Sequence, residues 1–248
     1  MKKILYSVAL AACCMGTMTS CSDFLDASNK SNVTAKQSFA TKEGLNNLVN
    51  NAYQHLQNVY AAPLFTSCFS AGTDMYADAR NKMNEALNTY ETLTPENTDI
   101  KNLYTYLYSG IRAANSVSYY AQTAQVDDKT KGQLVGEARV LAAYEYYLLV
   151  NNFGGVPIMK DFLTTADTGY PKSSAADVYA YIISELEDVI SKNVLQASTA
   201  TKGGGRISQE TAKAILAKTY LSAAWDLNKQ EYFSKAAALA DEVIAGRR

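Results

Sequence analysis

Apolar side chains recur every three and four residues along most of the chain beyond residue 40, and no run of alternating β-branched residues interrupts them. That period places the apolar positions on one face of a helix and leaves no material for a sheet. Thr41 can cap a first helix carrying Leu45, Leu48, Ala52, Leu56 and Val59, with Pro63 closing it. Thr98 can cap a second through Ile100, Leu103, Leu107, Ile111, Ala114 and Val117. Asp127 or Asp128 opens a long third helix, stopped by Gly154-Gly155 ahead of Pro157. Ser174 and Asp177 have the spacing of a capping box before Val178, Ile182, Leu186 and Val189. A turn at Gly203-Gly204-Gly205-Arg206 then leads to Ser208 and two more helices, about 209–226 and 231–245. Residues 62–97 read as mixed and loop-like. The expectation is an all-α protein of antiparallel helix pairs with long loops.

The last pair has a tetratricopeptide character. Ala212, Leu216, Ala217 and Tyr220 share one face, and Phe233, Ala236, Ala240 and Val243 share the facing one. Small residues at such positions let helices stack closely. The link through Trp225-Asp226-Leu227-Asn228 is too long for the 34-residue consensus, so the repeat is divergent.

The N-terminus carries an address. Lys2 and Lys3 precede an apolar run from Ile4 to Ala12, then Met18-Thr19-Ser20 and Cys21. A basic start, a short apolar core and small residues make a secretory signal peptide over 1–20, and the run is too short to span a bilayer. A cysteine at the cut suggests lipidation at Cys21, although Leu10-Ala11-Ala12-Cys13 also reads as an acceptable acylation site. Residues 21–34 read as a flexible tether and 35–248 as the helical domain.

Composition removes several classes. With Cys13 and Cys14 in the leader and Cys21 acylated, Cys68 is the one thiol left, so no disulfide forms and packing carries stability. His55 is the single histidine, which excludes a multi-histidine metal site; on its helix it reads as a packing or surface residue. The net charge of −1 offers no footprint for nucleic acid. Neither a metal nor a cofactor is expected.

Residues 136–158 resemble the hallmark segment of the SusD/RagB family of outer-membrane glycan-binding lipoproteins. The likeness rests on Gly136-Glu137-Ala138-Arg139, Tyr144-Glu145-Tyr146-Tyr147 and Phe153-Gly154-Gly155-Val156-Pro157. Cys21 to Asp26, Gly110-Ile111-Arg112-Ala113-Ala114-Asn115, and Gly205 through Leu221 resemble further family stretches in the same order. Ala142 stands where the family usually has Arg, and members run about twice this length, so the chain resembles an N-terminal half. The resemblance implies capture of an oligosaccharide at the cell exterior and delivery to a SusC-like TonB-dependent β-barrel transporter, from a lipid anchor in the outer membrane and with no catalysis.

Sugar sites pair aromatic faces with planar polar groups, and the chain has 18 Tyr against 7 Phe and 1 Trp. Tyr104, Tyr108 and Tyr144 lie at helical spacings that suit packing. The loop residues Asp74, Tyr76, Arg80, Asn81 and Tyr90 are the candidate ligand contacts, because loops on a helical scaffold commonly carry binding groups. They also lie roughly where the family contributes N-terminal contacts. Glu145 sits among apolar neighbours, where a bond to an Arg or Tyr of a neighbouring helix is expected; Glu137 and Arg139 read as inter-helix structure. A glycosidase would need a facing carboxylate that the sequence does not nominate. A helical-repeat adaptor that binds protein or peptide is the rival class.

Overall fold

The computed structural model describes residues 34–61, 64–76, 85–165, 169–197 and 205–246. The expected signal peptide, Cys21 and all of the expected tether but Thr34 lie outside them, as do Pro63, Arg80, Asn81 and Gly203-Gly204. The chain divides into two compact units, Met1–Ser38 and Phe39–Arg248. In the first, α1 (Ala35–Ser38) is a single turn whose start is closed by Thr34 and Gln37.

The described residues of the second unit form helices joined by loops, with no strand among them. Its long helices are α2 (Lys42–Tyr60), α5 (Thr98–Ala121), α6 (Asp128–Phe153), α7 (Ala175–Lys192), α8 (Gln209–Asp226) and α9 (Gln230–Ala245), with α3 (Leu64–Phe69) and α4 (Glu85–Thr89) short. Local chemistry sets most of their ends. Thr41, Asp127 and Ser208 each accept a backbone N–H in the first turn, and Ser174 with Asp177 closes a full capping box. Gly154 ends α6 at φ 68°, in the left-handed region that glycine enters without cost. One cap differs from the expectation: Asn97, not Thr98, starts α5, because its side chain reaches the N–H groups of Asp99 and Ile100. The described residues of 62–97 are also more helical than expected, since they hold α3 and α4. Helices that short lack stability of their own, and α3 is held by burying Leu64 and Ser67 while it packs on α5.

Successive long helices pack on one another in the order α2, α5, α6, α7, α8, α9, the layered arrangement of a tetratricopeptide-like scaffold. Short links at 122–127 and 227–229 make α5/α6 and α8/α9 antiparallel pairs. Leu45 and Val49, Leu107 and Ile111, Leu141 and Leu149, and Ile182 and Leu186 form one continuous core. The last pair is less closed than its sequence suggests. Ala236 is the one buried residue of α9, and its apolar line borders an open groove of about 470 Å³ with Leu221.

Polar clamps fix the register of the layers. Glu137 on α6 is fully buried; it pairs with Arg206 Nε at 2.7 Å and accepts from Tyr53 on α2 at 3.2 Å. Arg206 also donates to Asn50 and Asn46, so one guanidinium ties the approach to α8 onto α2 and α6. Arg139 bridges to Glu185 and Asp188 on α7 at 2.6 and 2.5 Å. Both residues are inter-helix structure, as their positions suggested. The strip after α6 is latched by Tyr108 donating to Pro157 O, Asn115 donating to Met159 O, and Met159 N donating to Tyr146 Oη. Tyr104 and Tyr108 are packing residues, with Tyr104 edge-on to Phe153.

Candidate functional site

Helix α3 delivers the chain to an exposed turn at 70–76. There Thr73 Oγ1 bonds Ser70 O at 2.7 Å, and Asp74, Met75 and Tyr76 project to solvent. Tyr90, after α4, leans back over this turn and its hydroxyl donates to Gly72 O at 3.4 Å. Gly72 has φ 73°, and a Cβ there would overlap the Tyr90 hydroxyl; only glycine admits both that backbone and that approach. Tyr90 itself has φ 63°, a costly conformation for an aromatic residue. It is nonetheless 58% exposed, so the fold holds a strained tyrosine in solvent rather than burying it.

Three of the five loop residues singled out by sequence are therefore placed. Asp74 and Tyr76 share the turn that Tyr90 covers, but neither bonds to Tyr90; Arg80 and Asn81 lie outside the described residues. Beneath Tyr90 is a cleft of about 390 Å³ lined by Cys68, Leu87, Ile100, Asn152 and Phe153, with no charged side chain on its walls. Burial and the Asp99 charge push the Cys68 thiol up to about 11, so it stays protonated and unreactive at neutral pH.

Sequence reasoning missed the aromatic surface beside this cleft. Tyr60 at the end of α2 packs on Phe65 and Phe69 of α3, with ring centroids 5.5 and 6.4 Å away, and Phe65 lies 5.4 Å from Phe69. Tyr60 and Phe65 are 42% and 37% exposed. The surface continues through a hydroxyl contact from Tyr60 to Tyr144 on α6, which stacks on Tyr147. The i, i+4 spacing of Phe65 and Phe69 was a usable signal. The meeting of Tyr60 with Tyr144 was not, since they come from different helices.

This arrangement can hold flat apolar ring faces against aromatic ones and address their hydroxyls with tyrosine and asparagine. Glu145 is completely buried against Gly110, and neither of its oxygens has a hydrogen-bond partner among the described residues. The expected bond to an Arg or Tyr is thus absent; those partner types are drawn to Glu137 instead. Burial holds the Glu145 carboxyl well above the usual range. His55 is half-buried and desolvation lowers its pKa, consistent with a packing role.

Layered antiparallel helices of this kind define a tetratricopeptide-like helical-repeat scaffold. The sequence model of the SusD-like family described as "Starch-binding associating with outer membrane" matches residues 23–221, and the chain belongs to that family. A SusD-like protein of Formosa agariphila is 28% identical over 190 residues, covering 75% of this chain and 36% of the relative. One from Bacteroides ovatus is 28% identical over 134 residues, covering 52% and 24%. Among solved structures, a SusD homolog from Bacteroides thetaiotaomicron superposes with a TM-score of 0.73 at 21% identity, covering 88% of this chain and 43% of that one. Surface glycan-binding protein A from Bacteroides uniformis gives 0.68 at 26%, covering 82% and 46%. A laminarin-binding SusD-like protein gives 0.67 at 23%, covering 80% and 42%. The chain thus spans about a third or less of these curated relatives' length and under half of these solved chains.

Proposed function

We propose that this chain forms the helical part of a surface lipoprotein that captures an oligosaccharide and passes it to a TonB-dependent β-barrel transporter, without chemical turnover. The observation that carries this reading is the exposed Tyr60–Phe65–Phe69 surface beside the Tyr90 turn, within a chain of a starch-binding family. Aromatic faces left in water at the edge of a cleft suit sugar C–H surfaces. Asp74, Tyr76, Arg80, Asn81 and Tyr90 are the loop residues assigned to ligand, and Cys21 carries the lipid that keeps the chain on the outer face of the outer membrane.

Isothermal titration of the whole chain against maltoheptaose and laminarihexaose tests the sugar reading. Phe65→Ala and Tyr90→Ala should each weaken binding about three- to tenfold, the worth of one aromatic contact. No binding to any glycan, with a barrel partner still captured, would sink it. Cys21→Ala should release the protein from the outer-membrane fraction; retention there would move the anchor elsewhere. A helical-repeat adaptor has one observation in its favour, the open apolar groove between α8 and α9. That reading predicts partner capture unaffected by Phe65→Ala and Tyr90→Ala.

A further inference from the structure

On a different part of the helical unit, α2 and α5 border a second cleft, of about 340 Å³. Its walls include Asn51 and His55 from α2, Ser109, Arg112 and Tyr120 from one face of α5, and Phe162 from the strip after α6. Its size is that of a small-ligand pocket. Aromatic rings form one side: Tyr120 lies 4.8 Å from Phe39 and 5.8 Å from Phe162 between centroids.

Arg112 gives this cleft its character. Its guanidinium lies 5.4 Å from the Phe162 ring centroid, and it makes no ion pair with a described residue, unlike Arg139 and Arg206. No carboxylate lines the cleft. Asp161 lies instead in the neighbouring cavity, which shares Arg112. The remaining polar groups are uncharged, since desolvation keeps His55 neutral and Asn51 and Ser109 carry no charge. A fork of N–H donors without a carboxylate, held over an aromatic ring, is built for a planar anion on a flat apolar body.

We propose that the Arg112 cleft is a second saccharide subsite, selective for a hexuronate unit: the carboxylate takes the guanidinium fork, the C–H face lies on Phe162 and Tyr120, and Asn51 and Ser109 address hydroxyls. The class of ligand rests on the carbohydrate-binding reading above, whereas the location does not. It gives the protein a preference for acidic glycans that the uncharged cleft under Tyr90 cannot supply.

His55 is the only histidine in the chain, so its imidazole resonances report this cleft alone. The test is titration of the whole chain with trigalacturonate and, separately, with maltotriose, followed by calorimetry and by the His55 ring protons. Trigalacturonate should bind and move the His55 lines, and Arg112→Gln should weaken it about tenfold, the worth of one charged hydrogen-bonding contact. Phe162→Ala should weaken it too, whereas Phe65→Ala should leave it unchanged. Arg112 is exposed, so Arg112→Gln should retain the helical circular dichroism of the parent. Trigalacturonate that fails to bind, leaves the His55 lines still, or binds equally to Arg112→Gln overturns the proposal. Maltotriose binding lost in Phe65→Ala upholds the site beside Tyr90 whatever trigalacturonate does, and failure of trigalacturonate alone overturns only the Arg112 subsite.

Discussion

Glu137 and Glu145 stand about two turns apart on α6, both fully enclosed, and they are opposite solutions to the same problem. Around Glu137 the fold assembles a cation and two neutral donors: Arg206, Tyr53 and Gln133. Around Glu145 it assembles none, and Gly110 simply clears room for the carboxyl. A buried ion needs compensation; a buried acid can instead keep its proton. Burial alone therefore does not define a carboxylate's role, because what reaches it from other helices decides whether it is a structural hub or a neutral filler.

The largest effect should come from stripping the hub. Arg206→Ala leaves Glu137 enclosed without its cation and should cost about 3–5 kcal/mol in denaturant melts at pH 7; a loss below about 1 kcal/mol would mean that water replaces the guanidinium. Next is the notch. Gly110→Ala puts a Cβ into the Glu145 carboxyl and should cost about 1–3 kcal/mol. Adding Glu145→Ala should relieve much of that crowding, and strictly additive losses would show that the two do not compete for space.

Smaller, and opposite in sign, is Glu145→Met, which keeps the bulk and removes two unpartnered oxygens. It should stabilise by about 1–2 kcal/mol at pH 8. The pH dependence follows from the direction of the shift. The folded pKa lies above the unfolded one, so the folded state keeps the proton longer. That contribution to stability is complete below the ordinary glutamate range and is lost as pH rises through the folded value. The advantage of Glu145→Met over the parent should therefore grow between pH 4 and pH 8; an advantage that shrinks would reverse the assignment. The smallest change belongs to the surface: Lys192→Ala removes an exposed i, i+4 pair with Asp188 at 2.7 Å and should cost less than about 0.5 kcal/mol.

The same contrast explains what could be read in advance. Thr41, Ser174 and Ser208 were legible as caps, and Asp127 as one of two adjacent candidates, because each bonds a backbone group within three residues. Gly154 was legible because a helix end needs a left-handed residue there. Asn97 was misread for Thr98 because adjacent residues both have capping side chains and only the local backbone angle chooses. Helices α3 and α4 escaped because a turn or two carries too little periodicity. Of the candidate site, Tyr90 was legible as a loop residue, while the Tyr60–Phe65–Phe69 surface went unseen because Tyr60 and Phe65 belong to different helices.

Helical class, helix ends and the SusD-like hallmark are written in neighbouring residues, because capping and amphipathic spacing act over a few positions. The partners of Glu137, the isolation of Glu145, the exposure of Phe65 and the lack of an ion pair to Arg112 among the described residues depend on which helices meet. Tyr53 reaches Glu137, and Tyr60 reaches Tyr144, across 84 residues of sequence. Only the packing of the layers brings such groups together, because each pair comes from helices far apart in the sequence.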